Sequence, residues 1–173
     1  MSGLLTPAER ELDVAHIIRR RSLGLALAVV ALDQAFKVWM LRLVFDPPRI
    51  IELTPFANLA PVWNRGISFG MFNDLAEYGP LVLAALALIV SVVLTAWLWQ
   101  ARRLSLGLAL GLVIGGAIGN VIDRLRFGAV VDFLDLHAFG YHWPAFNVAD
   151  SAITVGVFLM LFDTLAADKP EAR

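Results

Sequence analysis

The stretch PLVLAALALIVSVVLTAWLWQ, Pro80 to Gln100, carries no charged residue and decides the class of the molecule. A helix crossing a hydrocarbon core of about 30 Å needs about 20 predominantly apolar residues, and this run supplies them without a break. Outward from it, Leu104 to Ile122 is a second run of the same kind. Ser22 to Phe45 is long enough to span despite Asp33, Lys37 and Arg42, and Ser151 to Ala167 is a shorter span interrupted only by Asp163. Composition agrees: of 173 residues 59% are hydrophobic and 17% charged, with a mean hydropathy of +0.73. The expectation is an all-α membrane protein with four transmembrane helices within 22–167, outer loops at 46–79 and 125–148, a cytoplasmic N-terminal segment at 1–21 and a cytoplasmic tail at 168–173.

The basic residues set the orientation. Arg10, Arg19, Arg20 and Arg21 precede the first span, Arg102 and Arg103 separate the second from the third, and Lys169 and Arg173 follow the fourth. Only Arg49, Arg65, Arg124 and Arg126 fall in or beside the opposite loops, so the positive-inside rule places both termini in the cytoplasm. The first apolar run is long and lacks a small-residue cleavage site, which argues against a removable signal peptide. Ahead of it, Thr6 and Pro7 are suited to start a helix with Glu9 and Glu11 in its first turns, and this segment reads either as an interfacial helix or as disordered. A net charge of -1 gives no bulk electrostatic case for nucleic acid, and the absence of cysteine removes disulfides, thiol catalysis and Cys-ligated metal.

Polar clusters interrupt the apolar background at Asp33 to Lys37, around Asn64, at Gly119 to Arg124, around Asp132 and at Phe146 to Asp150. A carboxylate at membrane depth is expensive and usually marks a substrate path, a proton relay or a catalytic centre. The topology rests on the basic residues alone, yet it gathers these clusters toward one site at the outer boundary: Asn64 in the first outer loop, Asn120, Asp123 and Arg124 at the outer end of span three, Asp132 in the loop after it, Asn147 and Asp150 where span four re-enters, with Asp33 near mid-depth and Lys37 one turn further out. Between Asp46 and Tyr78 the prolines and glycines exclude a helix, and RIIEL and ISFGMF have partial strand character, so a small antiparallel sheet resting on the membrane is expected. Trp63, Phe69, Phe72, Tyr141 and Trp143 suit the headgroup level. In span three Gly107, Gly111, Gly115 and Gly119 recur every four residues and line one face, a packing stripe for neighbouring helices; Gly115, Gly116 and Gly119 also leave space beside its polar end.

Weighed singly, Asp123 next to Arg124 reads as an ion pair holding the end of span three, Asp33 with Lys37 at i, i+4 as a neutralised intramembrane pair, and Asp163 as interfacial. Asp132 and Asp150 have no basic neighbour within a helical turn, and adjacent spans can bring them face to face. Two carboxylates sharing a site do not both ionise easily, so one keeps a proton while the other acts as general base. His137 and His142 lack the spacing of a metal-binding helical pair, and Ser68 and Ser151 have no associated base. No metal and no cofactor are expected. A proton-coupled transporter would need polar residues reaching both sides, which the apolar cytoplasmic halves of spans two, three and four do not provide; a noncatalytic anchor would leave the two aspartates without a use.

The ordered blocks DQAFK, NRGISFG, GGAIGNVIDRLRFGAVVDFLDLH and WPAFNVADSAITVG, from Asp33 to Gly156, resemble the lipoprotein signal peptidases, the signal peptidase II family of bacterial membrane aspartic proteases. The resemblance implies four transmembrane helices with a small extracytoplasmic sheet that cradles substrate, and cleavage of lipid-modified prolipoproteins before the diacylglyceryl cysteine. It implies a catalytic pair at Asp132 and Asp150, with Asp33, Lys37, Asn64, Gly116, Asn120, Asp123, Arg124 and Asn147 in support. A monomer in contact with membrane phospholipid, its active site at the outer face of the inner membrane, completes the expectation.

Overall fold

The computed structural model of the protein describes residues 6–66 and 78–167. Among them helices α1 (Pro7–Leu43), α2 (Gly79–Leu98), α3 (Leu104–Phe127) and α4 (Val148–Ala167) are joined by strands β1 (Ile51–Thr54), β2 (Ala57–Asn64), β3 (Val130–Ala138) and β4 (Tyr141–His142). Each of the four helices contains a stretch long and apolar enough to cross a membrane. Ser68, Phe69 and Phe72, the ISFGMF segment and the tail at 168–173 lie outside the described residues.

From Pro7 onward the N-terminal segment is the first part of α1, with no break at Ser22. Thr6 and Glu9 form a capping box: the Thr6 hydroxyl accepts from the Glu9 N–H, and the Glu9 carboxylate accepts from the Thr6 N–H at 2.7 Å. At about 1.5 Å per residue this 37-residue helix is about 55 Å long. Its first turns therefore project past the level at which α2 ends, where Arg19 donates to the Trp99 carbonyl at 2.8 Å.

Helix α3 is the hub: it packs against α1, α2 and α4, and 67% of its spanning window is buried inside the protein against 17% for α2 and for α4. The glycine stripe makes this possible. A Cβ at Gly111 would lie 2.5 Å from the Ser22 carbonyl oxygen and one at Gly115 2.6 Å from that of Ala26, so α1 backbone rests directly on α3 backbone. Gly116 faces the other way, against the Ala149 carbonyl at the start of α4. Two consecutive glycines thus admit two different helices. At one end of the bundle Arg103 joins Asp163 at 3.0 Å, with Ser105 on the same carboxylate; at the other end lie the sheet and the polar clusters.

The sheet is antiparallel throughout, in the order β1-β2-β3-β4. The RIIEL segment contributes β1. Strand β2 contains Pro61, which donates no ladder hydrogen bond; it falls where the β2–β3 register shifts between Leu59 and Val62, the kind of irregularity at which a strand tolerates proline. Asp132, expected in a loop, lies on β3 opposite Val62. The start of β3 is buried on both faces, from Val130 through Phe133, so the alternation that marks a half-exposed strand is absent there. Phe133 packs with Met40 and Val44 at the end of α1. Trp63, half-exposed, stands edge-on to Phe45 at 5.0 Å and beside Phe127 at 5.6 Å, tying β2 to the ends of α1 and α3.

Candidate active site

Helix α4 begins with a second capping box. Asn147 precedes its first residue; the Asn147 Oδ1 accepts from the Asp150 N–H at 2.9 Å, and the Asp150 Oδ2 accepts from the Asn147 N–H at 3.2 Å. Asp150 is therefore held at the third helical position by local backbone chemistry, and the FNVAD block reads as a helix start for this reason. The N–H of Ala149, between them, is taken by Asp33 Oδ1 at 2.9 Å.

The Asn147 side chain reaches the other aspartate as well. Its Nδ2 donates to Asp132 Oδ1 at 2.6 Å, and Asn64 Nδ2, at the end of β2, donates to Asp132 Oδ2 at 2.8 Å. Asn120, on α3, donates from Nδ2 to Asp150 Oδ1 at 2.7 Å, while its own Oδ1 accepts from Lys37 Nζ at 3.0 Å and from Asn147 Nδ2 at 3.2 Å. With two donors on its oxygen, the Asn120 amide can present only its NH₂ to Asp150. Strand, helix start and hub helix so deliver two carboxylates into one hydrogen-bonded cluster. Asp132 is fully buried. Burial, and after it the nearby charge of Asp150, push its carboxyl up to about 6 against the opposing donors Asn64 and Asn147.

Beneath the cluster Lys37 Nζ lies 2.8 Å from Asp33 Oδ2 and 2.7 Å from Asp123 Oδ2, all three side chains being buried. The expected pairing of Asp123 with Arg124 is corrected here: Asp123 pairs with Lys37 and also accepts the Val131 N–H at 3.0 Å. Residues adjacent on a helix point about 100° apart and do not face each other. Asp123 thereby anchors β3 one residue before Asp132. Arg124 instead lies within electrostatic reach of Asp150 and Asp132; its Nη1 makes a long 3.5 Å bond to the Asn120 carbonyl, and its buried Nε has no hydrogen-bond partner among the described residues. That is a cation with donor capacity to spare beside two carboxylates. Gly116 admits the backbone of Ala149, the residue before Asp150.

One member of the cluster escaped the sequence reading. Gln34 Nε2 lies 3.2 Å from Asp33 Oδ2 and 3.0 Å from Asp123 Oδ1 and so links the two acids. Its signal was an uncharged amide inside an apolar span, overshadowed by the charges on either side. Farther out, His142 Nδ1 lies 2.9 Å from both Asp135 oxygens and His137 stacks on His142, with ring centroids 5.0 Å apart. Burial works to raise the Asp135 carboxyl, but the bonds from His142 and Asn58 and the charges of both histidines outweigh it and hold the group below its ordinary range. The Ser151 hydroxyl is bonded back to the Asn147 carbonyl at 2.9 Å.

A family model described as signal peptidase (SPase) II matches residues 25–166. Lipoprotein signal peptidase of Methylobacterium sp. (strain 4-46) is 45% identical over 144 residues, covering 83% of this chain and 87% of that protein. The protein of the same name from Burkholderia thailandensis is 43% identical over 146 residues, covering 83% and 86%. A solved structure of a bacterial membrane enzyme, obtained by the in meso method at 2.3 Å resolution, superposes with a TM-score of 0.72 at 30% identity, over 88% of this chain and 93% of that one.

Proposed function

The chain belongs to the signal peptidase II family and is a peptidase of prolipoprotein signal peptides, and from that premise we propose that Asp132 and Asp150 perform the hydrolysis as an aspartic pair. The observation that carries this reading is Asn147, which holds both carboxylates at once. Two acids fastened to one asparagine, Asp132 fully buried and Asp150 partly so, share a proton more readily than they both ionise. A water between them loses a proton to one carboxylate as it attacks the scissile carbonyl; the other donates to the developing oxyanion, and a proton then passes to the leaving amine. The upward shift of Asp132 supports its role as the member that holds the shared proton. The spare donors of Arg124 suit substrate carbonyls and the oxyanion.

As a multi-pass protein of the bacterial inner membrane, the enzyme meets a substrate that is itself held in the bilayer. In this reading cleavage falls before the diacylglyceryl-modified cysteine, with the acyl chains left in lipid. The basic residues favour both termini in the cytoplasm and the carboxylates at the outer face. The test is cleavage of a diacylglyceryl-modified prolipoprotein by purified enzyme. Asp132→Asn and Asp150→Asn should each lower turnover by about 10⁴-fold or more, the scale seen when one member of a cooperating catalytic set is removed, while expression and insertion persist. Near-normal turnover in either variant overturns the assignment.

A further inference from the structure

A cavity of about 630 Å³ opens at the end of the bundle opposite the carboxylates, between the first turns of α1 and the connection from α2 to α3. Arg10, Leu12, Ile18, Arg19, Trp99 and Arg102 line it, with Glu11 the only acid among the described residues that do. Since α2 ends at Leu98 and α3 begins at Leu104, this connection lies where two spans leave the bilayer. The cavity therefore sits at headgroup level, and Trp99, half-exposed at its rim, is the side chain such a level favours.

Arg19 is held in place but not saturated. Its Nη2 donates to the Trp99 carbonyl at 2.8 Å and its guanidinium lies 5.7 Å from the Trp99 ring centroid, yet its buried Nε has no hydrogen-bond partner among the described residues. A buried donor left over on a fixed guanidinium calls for an acceptor. Arg103, next in sequence to Arg102, is committed to Asp163, whereas Arg102 is exposed and lines the cavity. An oxyanion satisfies the charge, and the apolar wall of Ile18 and Leu12, the latter 61% exposed, favours an anion with an apolar body over a free one. We propose that this cavity binds one anionic phospholipid, its phosphate between Arg19 and Arg102 and its acyl chains running into the bilayer beside α1 and α2.

The neighbouring Arg20 provides the control, because it lines a separate hollow with Ile17 and Arg21. The full chain in uncharged detergent is titrated with phosphatidylglycerol, and retained lipid is counted by native mass spectrometry. Arg102→Glu should weaken binding about tenfold and Arg102→Ala about threefold, whereas Arg20→Glu, with the same change in net charge, should stay within about twofold. Equal weakening by Arg102→Glu and Arg20→Glu would reduce the effect to diffuse surface charge and overturn the site. Equal retention of phosphatidylcholine, or displacement of the lipid by millimolar inorganic phosphate, would overturn the choice of ligand.

Discussion

On the proposed assignment, an aspartate that is to act as acid or base needs neighbours that hold it without neutralising it, and asparagines are the residues placed to do so. Asn64 and Asn147 on Asp132, and Asn120 on Asp150, fix the oxygens by hydrogen bonds, while the lysine is kept one layer below with Asp33 and Asp123. The burial of Asp132 is also a liability for folding. Its carboxyl holds a proton up to about pH 6 in the folded protein, against an ordinary value of 3.8. Between those values the folded state binds more protons than the unfolded state, so stability falls as pH rises from about 4 to about 6 and then levels off. The loss is on the order of 3 kcal/mol. Thermal unfolding in detergent should show wild type losing stability relative to Asp132→Asn across that window; parallel curves would contradict the shift. At this scale the two aspartates are legible in the sequence because neither has a basic residue within a turn. The partner of Asp123 is not, since Lys37 is remote in sequence and only the α1–α3 crossing brings it near.

At the scale of elements, the helices are legible because lipid demands a length and a composition. The glycine stripe of α3 is legible because close backbone approach demands a spacing. Gly115→Val should therefore cost about 1–3 kcal/mol by forcing α1 away from α3, since its Cβ would meet both the Ala26 backbone and the Val29 side chain. Gly24→Ala, on α1 with nothing within 4 Å of the added carbon, should be neutral or mildly stabilising. Unfolding of both variants in one detergent checks the contrast, and equal losses would contradict the packing account. Strand β3 is the element least legible in the sequence. Its first residues are enclosed by β2, α1 and the start of α4 together, so the pattern that would announce a strand appears only toward its exposed tip. Strand β2 is masked by Pro61, whose missing N–H is tolerated only because the register already shifts there.

At the scale of the whole molecule, the contacts divide cleanly between two ends. Arg19 with Trp99 and Arg103 with Asp163 close one end; Lys37 with Asp123, Asn120 with Asp150, and Asp33 with Ala149 close the other. The cysteine-free chain makes the orientation directly measurable. A cysteine placed at Ala138, on the outer part of β3, should react with an impermeant thiol reagent added to intact spheroplasts, and one at Gln100 should react only after lysis. Labelling at Gln100 without lysis would invert the topology.

The double duty of Asn147 bears on how the protein can change under selection. The amide that places both carboxylates also starts the fourth helix, so a compound that grips Asp132, Asp150 and Asn147 would grip groups on which the fold itself depends. Substitutions that evade such a compound at these positions would give up the helix start, the register of the carboxylates, or both. Escape would then have to come from the rim of the cradle or from making more of the enzyme, and the centre of the site would stay a fixed target.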